Sequence, residues 1–498
     1  MPTTHREVER KYYVDDNVAL PTLEDLPDVS RVDGPRTDDL EARYFDTDDL
    51  ALGRRGITLR RRTGGTDPGW HLKLPVDGAR QEIHAPLGRS VRTPPVALRR
   101  VVQEVVRQRA LLEIATITTQ RTTATVVDAD ATVLAEVSDD VVTAVRSGAD
   151  GEETHRWREW EIEIHAGRPR LTKALDKRAR KAGAEVASGR SKLGQLMQLG
   201  VEAPSTGGRN VLDEKATEHE LLTHHVTGLV DDLHRLDPMA RADLPGAVYQ
   251  LRLVIRRLRS VLRSFDLCFD AGITDPVRDE LHWISDVLGR PRDLDVLRSE
   301  VSSVLLGLHP DQVRDRPGTW FDRRLRAERR TAHQEVLAAM TSERYFTLLD
   351  TIDGWQAGLP FSDRRDRRAR KSFPKVIQQE WRRVEKAVGD AEAADDAERP
   401  DLLHQVRKKS KRVRYAAEAL EPVASVDTRA AAKRAKKVQE ALGEHHDVLL
   451  AMQHVLHLAA AARDEGRDTF TWGVVVARLE AEITEHEREF RRSWKKVR

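Results

Sequence analysis

The sequence predicts a multidomain α+β chain, an antiparallel β half followed by an all-α half. Three observations carry this. Charged and apolar residues alternate through roughly the first 200 positions, the period of a half-buried strand. A Pro/Gly-bearing stretch at residues 201–209 then interrupts the pattern. Beyond it the apolar spacing is helical, and two landmarks recur at nearly one offset.

The β half opens on Glu7-Val8-Glu9-Arg10-Lys11. On a strand, Glu7, Glu9 and Lys11 share one face. Like charges in that row repel unless a cation lies between them, so two Glu and a Lys fit a site for a divalent metal and an anion. Alone, the stretch fits a solvated strand face better; recurrence changes this. Arg43 to Thr47 is a short β-prone run. Arg60 and Arg62 lie on one face with Leu59 opposite, and His71 and Lys73 lie opposite Leu72 and Leu74. Arg80 and Glu82 fall together. Val96 to Leu112 has helical spacing. Strands resume at Thr116–Asp128 with Arg121, at Thr132–Ala144 with Glu136, and at Trp160–Ile164 with Glu161 and Glu163. Leu171–Ala184 reads as a basic helix, followed by Ser191-Lys192-Leu193. Curled into a barrel, such a sheet encloses a lumen of both signs, suited to a polyanion held by Arg and Lys beside a metal held by carboxylates.

Composition bounds the remainder. A chain of 498 residues is long enough for two or more cored domains. Lys and Arg number 84 against 82 Asp and Glu, so net charge says nothing about partners. One cysteine, Cys268, excludes an internal disulfide and a cysteine-based zinc site. The N-terminus carries no signal-peptide pattern and no apolar run approaches membrane-spanning length, so a soluble cytoplasmic protein without a membrane partner is expected.

In the α half, Tyr249-x-x-Arg252 with Arg256, Arg259 and Arg263 parallels His404-x-x-Arg407 with Lys411 and Arg414, an offset of 155 residues (249 to 404). Leu288-Gly289 parallels Leu442-Gly443 at an offset of 154 (289 to 443). This predicts a duplication, hence two similar bundles. The 3-4-3 spacing lines the basic residues along one helix face, poor in acidic i,i+4 partners and so in want of an anion. Interleaved aromatics suited to base stacking are lacking, which disfavours nucleic acid. His404 suits phosphate contact or an interior histidine better than a metal, and His445-His446 reads as structural.

The ordered segments of the β half resemble the CYTH family, the triphosphate tunnel metalloenzymes: Glu7-x-Glu9-x-Lys11, Tyr44-Phe45-Asp46-Thr47, Leu59-Arg60-x-Arg62, the lysine strand at Lys73, Glu161-x-Glu163 and Ser191-Lys192. Leu193 stands where the family has an aromatic residue. The resemblance covers residues 1–201 and implies an eight-stranded antiparallel β tunnel with flanking helices. It further implies metal-dependent hydrolysis of inorganic triphosphate or related phosphoanhydrides, with Mg²⁺ or Mn²⁺ as cofactor. Carried over by position, Glu7, Glu9, Glu161 and Glu163 would hold metal. Lys11, Arg60, Arg62, Lys73, Arg121 and Lys192 would bind phosphate, with Glu82 and Glu136 either holding metal or orienting a basic neighbour. After a linker at 202–213, residues 214–498 resemble the CHAD domain, which implies polyphosphate binding through Arg252, Arg256, Arg259, Arg263, His404, Arg407, Lys411 and Arg414. Tyr249 replaces the first family histidine. Localisation with polyphosphate granules accompanies that reading. The alternative is a non-enzymatic polyphosphate-binding protein whose tunnel only binds.

Overall fold

The computed structural model describes residues 8–76, 79–148, 151–164, 168–187, 191–197, 212, 215–423 and 426–497. Glu7 and the 201–209 loop, along with most of the 202–213 linker, lie outside these. The chain divides into two compact units, Met1–Gly207 and Gly208–Arg498.

The first unit is one antiparallel sheet. Its strands are β1 (Val8–Tyr13), β2 (Arg31–Asp46), β3 (Thr58–Thr63), β4 (Gly69–Val76), β5 (Ala79–Ala85), β6 (Leu112–Val127), β7 (Val133–Gly148), β8 (Gly151–Ile164) and β9 (Glu185–Val186). They pair in the order β5-β4-β3-β2-β6-β7-β8-β1-β9. The expected count of eight is therefore exceeded by the two-residue β9, which adds to β1 at Tyr12 and Tyr13. Arg60 of β3 and Glu161 of β8 interact electrostatically although three strands separate them in the sheet order. The sheet thus curls its charged face inward. Among the described residues five helices accompany it: α1 (Ala51–Arg54), α2 (Val96–Val101), α3 (Gln103–Val106), α4 (Pro169–Lys181) and α5 (Lys192–Leu196). Only the first part of the helical spacing read over Val96–Leu112 is helix; Leu112 already begins β6.

The outward face is apolar, as the alternation demands. Tyr12, Val137, Trp160, Ile162 and Ile164 pack under Leu171, Leu175 and Ala179 of α4. A second cluster has the opposite sense. Tyr44, Ala115, Ile117, Val142 and Ala144 meet Leu193 and Leu196, so α5 packs apolar residues at one end of the charged face. The Ser191 hydroxyl accepts the Gly194 amide at 3.1 Å, an N-cap that starts this short helix and sets Lys192 at its first position.

The second unit is helical: α6 (Glu218–Arg241), α7 (Ala247–Ser264), α8 (Ala271–Val287), α9 (Gly289–Leu306), α10 (Pro317–Met340), α11 (Glu343–Asp353), α12 (Ala369–Ala393), α13 (Arg399–Ala419), α14 (Val426–Asp464) and α15 (Phe470–Val497). A shift of about 155 residues lays α6 on α12, α7 on α13, α8 with α9 on α14, and α10 on α15. The break between α8 and α9 has a cause. Pro291 lacks an N–H and its ring crowds the carbonyl four residues back, at Val287, where α8 ends. His445 stands at the equivalent point and α14 runs unbroken through 39 residues.

The expected two bundles are not separate. One core joins α6 and α7 to α12 and α13; the other joins α9 and α10 to α14 and α15. Each core takes helices from both repeats.

Within the first of these cores Asp237 and Arg241 are fully buried as an ion pair. Tyr345 Oη donates to Asp237 Oδ2 at 2.7 Å, and Arg241 Nη2 donates to the Met340 carbonyl at 2.6 Å. Removing one partner of a buried pair leaves a charge in a poor medium. Asp237→Ala is expected to lower stability by about 3–5 kcal/mol in urea denaturation. Asp275→Ala, at an exposed pair with Arg278, should stay within about 0.5 kcal/mol.

Candidate active site and basic helix face

Register fixes which side chains share the inward face. Lys11 lies opposite Glu161, and Tyr13 opposite Glu159. Glu159 lies opposite Asp140, which lies opposite Arg121. Across the sheet, Tyr44 faces Arg60, Arg60 faces His71, and Lys73 faces Glu82.

At the centre is Glu161. Lys11 Nζ and Lys192 Nζ both donate to its Oε1, the latter at 2.7 Å, and Arg121 donates to its Oε2. Burial opposes the Glu161 charge, but Lys192, Lys11 and Arg121 outweigh it and hold the carboxyl well below its usual range. Arg121 also forks onto Asp140 at 2.8 and 2.6 Å, and Lys192 reaches Asp140 at 2.8 Å and Glu159 at 2.7 Å. Burial disfavours both cations, yet Glu161 and Asp140 raise them above their ordinary values.

The other predicted residues sit around this knot. Among the described residues Arg60 makes a 3.5 Å contact to Tyr44 Oη, and its buried Nε has no hydrogen-bond partner there. Burial works against its charge, while Tyr44, Glu82 and Glu161 more than restore it. Arg62 is turned onto the β3–β4 connection, donating to the Asp67 carbonyl at 2.8 and 3.1 Å and to its Oδ2 at 3.0 Å. Burial and then Arg60 push Arg62 down. Glu82 orients basic neighbours: Lys73 Nζ lies 3.2 Å away and His71 Nδ1 2.7 Å. Burial opposes the Glu82 charge, but His71, Lys73 and Arg60 depress its pKa strongly. His71 is lowered, by burial first, with the Glu82 carboxylate opposing.

A cavity of about 420 Å³ adjoins the knot, lined by Arg36, Arg62, Arg121, Glu136, Glu161 and Glu163 among others. This lies in the range of small-molecule sites, about 300–1,000 Å³. Glu163 holds the register position opposite both Glu9 and Glu136. Three acidic positions in one row across adjacent strands repel unless a cation neutralises them, and carboxylate oxygens suit a hard dication such as Mg²⁺ or Mn²⁺. Asp140, Glu159 and Glu161 also bring one oxygen each within 4.8 Å of the others. There Lys11, Arg121 and Lys192 already supply positive charge; Glu136 and Glu163 line the cavity beside them and are carboxylates that could hold a metal.

Asp140 and Glu159 were not singled out from the sequence. The signal was present: Asp140 follows Glu136 by four residues and Glu159 precedes Glu161 by two, so each extends a row already identified.

In the helical unit α7 packs on α13. Lys411 is buried there, facing Arg256, Arg407 and Arg252, with Asp447 the nearest acidic influence; burial and then these cations push its pKa down to about 6. Neither Arg256 nor Lys411 makes an ion pair with a described residue. Arg259 Nη1 and Arg407 Nε are buried without hydrogen-bond partners. Equivalent aspartates flank the stripes: Arg252 pairs with Asp293 at 3.2 Å and Arg407 with Asp447 at 3.7 Å. Three residues differ in setting from the rest of the stripes. Arg414 is taken up by Glu418 and Gln439, each at 2.8 Å. Arg263, at the end of α7, is exposed. His404 is no cation: burial, then Lys408 and Arg407, push it down to about 4. It stacks on His446 with ring centroids 4.0 Å apart. In the other repeat the same two positions hold Tyr249 and Arg292, whose guanidinium lies 5.8 Å from the Tyr249 ring centroid. The first-repeat tyrosine therefore keeps the contact between helices with a different pair.

A protein of Mycobacterium tuberculosis strain H37Rv, described as uncharacterized, is 35% identical over 505 residues, covering 98% of this chain and 95% of its own. Among solved structures, PptA from Streptomyces chartreusis aligns at 21% identity and a TM-score of 0.48, over 56% of this chain and 100% of that one. The CHAD domain from the plant Ricinus communis aligns at 24% identity and a TM-score of 0.45, over 57% and 93%. The CYTH domain family matches residues 5–189 and the CHAD domain family residues 224–456. The chain belongs to the CYTH–CHAD proteins.

Proposed function

We propose that the CYTH unit hydrolyses inorganic triphosphate or a related phosphoanhydride with a divalent metal, and that the CHAD unit binds polyphosphate. The observation that carries the first half is the convergence of Arg60, Arg62, Arg121, Lys11, Lys73 and Lys192 on one inward face around buried carboxylates. CYTH membership supports a phosphoanhydride-acting, metal-dependent enzyme. Arg60 and Arg62 offer planar, multiply donating groups to phosphoryl oxygens. Lys11, Arg121 and Lys192 are held in place by Glu161, Asp140 and Glu159, so their positive field is preorganised before substrate arrives. A metal held by the Glu9–Glu163–Glu136 row would neutralise charge on the phosphate chain. Attack by water on the terminal phosphoryl group is then a matter of alignment, which the side chains around the cavity supply.

The deciding experiment is a phosphate-release and product screen with Mg²⁺ or Mn²⁺ against triphosphate, long-chain polyphosphate and ATP. Metal-dependent release is expected; its absence with retained binding would favour a binding protein. Arg62→Ala should lower kcat/KM on the identified substrate by about 10²–10³-fold with the fold intact. Glu163→Gln should raise the metal concentration for half-maximal rate by at least about tenfold, as for weakened ligation. Unchanged kinetics in both variants would remove these residues from the site.

For the CHAD unit, Arg256→Glu combined with Lys411→Glu should weaken long-chain polyphosphate binding far more than reversal at the exposed Arg323 and Lys386. Protonation gives a second check. Burial and the neighbouring Arg256 and Arg407 push Lys411 down to about 6, below the ordinary lysine value of about 10.4. A polyanion raises that pKa, so at pH 7.5 binding takes up a proton and affinity falls as pH rises above 6. Calorimetry in buffers of differing ionisation enthalpy should show this uptake in the native protein and its loss in Lys411→Met.

A further inference from the structure

Two hydroxyl side chains on α7 and α13 stand at equivalent places in the two repeats. Neither hydroxyl has a hydrogen-bond partner among the described residues. Tyr415 lies one turn beyond Lys411, and Ser260 lies one turn beyond Arg256. They are separated by the repeat offset of 155 residues (260 to 415). Both are buried, Tyr415 to 4% exposure and Ser260 to 8%. They differ in reach. Ser260 Oγ is fully enclosed, whereas the longer Tyr415 acts electrostatically on Arg256 of α7 and on Arg407 of its own helix.

The Tyr415 ring is held before any ligand arrives. Arg257 of α7 and Arg414 of α13 place their guanidiniums 5.8 and 5.3 Å from its centroid. Glu418 ties the two together: Arg257 Nε lies 3.3 Å from its Oε2, and Arg414 Nε donates to its Oε1 at 2.8 Å. Gln439 accepts a second Arg414 N–H at 2.8 Å. The phenol keeps its proton, since its ordinary value near 10 is raised by burial against the pull of Arg256, Arg414 and Arg257. A buried O–H left without an acceptor is costly. An oxygen-rich anion drawn to Arg256 and Arg407 supplies one.

We propose that the Tyr415 hydroxyl is a phosphate-binding group of the helical unit, donating one uncharged hydrogen bond to a phosphoryl oxygen held by Arg256 and Arg407. This rests on the reading that the unit binds polyphosphate. Arg414 is then a positioning residue: it steadies the Tyr415 ring in place of touching phosphate, which accounts for its capture by Glu418 and Gln439. The hydroxyl differs in kind from the cations around it. Arg and Lys draw the chain by charge and displace its counterions; a neutral donor adds a directional contact and displaces none.

The test titrates the full-length protein with long-chain polyphosphate over a series of salt concentrations. Tyr415→Phe removes one oxygen and keeps the ring. It should weaken binding at least about tenfold at each salt concentration, with the slope of log affinity against log salt unchanged. Arg256→Gln should flatten that slope, because a cation has been withdrawn from the chain. Ser260→Ala, at the equivalent place in the other repeat, should leave affinity and slope as they are. The melting temperature of Tyr415→Phe should match that of the native protein. Undiminished affinity in Tyr415→Phe overturns the assignment, as does a loss that comes with a flattened slope or a lowered melting temperature, or one equalled by Ser260→Ala. Failure of the native protein to bind polyphosphate at any salt concentration instead removes the polyphosphate reading, and this role with it.

Discussion

Glu161 and the three cations on it set the terms for the β unit. A buried carboxylate alone would take up a proton or pull in water. Here Lys11 from β1, Arg121 from β6 and Lys192 from the start of α5 converge on it, and Asp140 and Glu159 complete the balance. That requirement explains why the sheet curls and why α5 is fastened where it is. Lys192 reaches the knot because Ser191 caps the helix and Leu193 and Leu196 anchor it among apolar side chains. Charge balance and hydrophobic anchoring thus act through neighbouring residues of one short segment.

The two units use charge in opposite ways. Around Glu161 each cation is met by an anion, and the ion pairs raise the pKa values of Arg121 and Lys192. On the faces of α7 and α13 that meet, cations are gathered with too few anions, and Lys411 is lowered. The first arrangement is rigid before any ligand comes; the second is electrostatically frustrated until one does.

Much of this was legible in the sequence, because period-two alternation fixes a face whatever the strand's length. Glu161, Arg60, Lys73 and Arg121 could be placed on one face from spacing alone. What spacing cannot give is the partner. Arg62 shares the face as read, yet bonds to Asp67 in a turn, and turns carry no period. The stretch from Arg31 to Leu40 escaped notice as strand because Asp33, Gly34, Pro35, Asp38 and Asp39 all read as turn formers; the pairing of β2 with β6 overrides that preference, with a register shift between Asp33 and Arg36. The duplication was visible as an offset. Its interleaving was not, since a repeat in sequence does not say whether its hydrophobic faces meet within a copy or between copies.

That interleaving makes the helical unit resemble a dimer whose subunits have been joined by a peptide tether. Each copy contributes half of each core, so neither copy holds a complete set of apolar partners. A chain severed between α11 and α12 would yield two fragments that find structure only in each other's company. The unbroken α14, passing from one core into the other, acts as the splint across that union. In the first repeat the break at Pro291 supplies a joint in place of a splint.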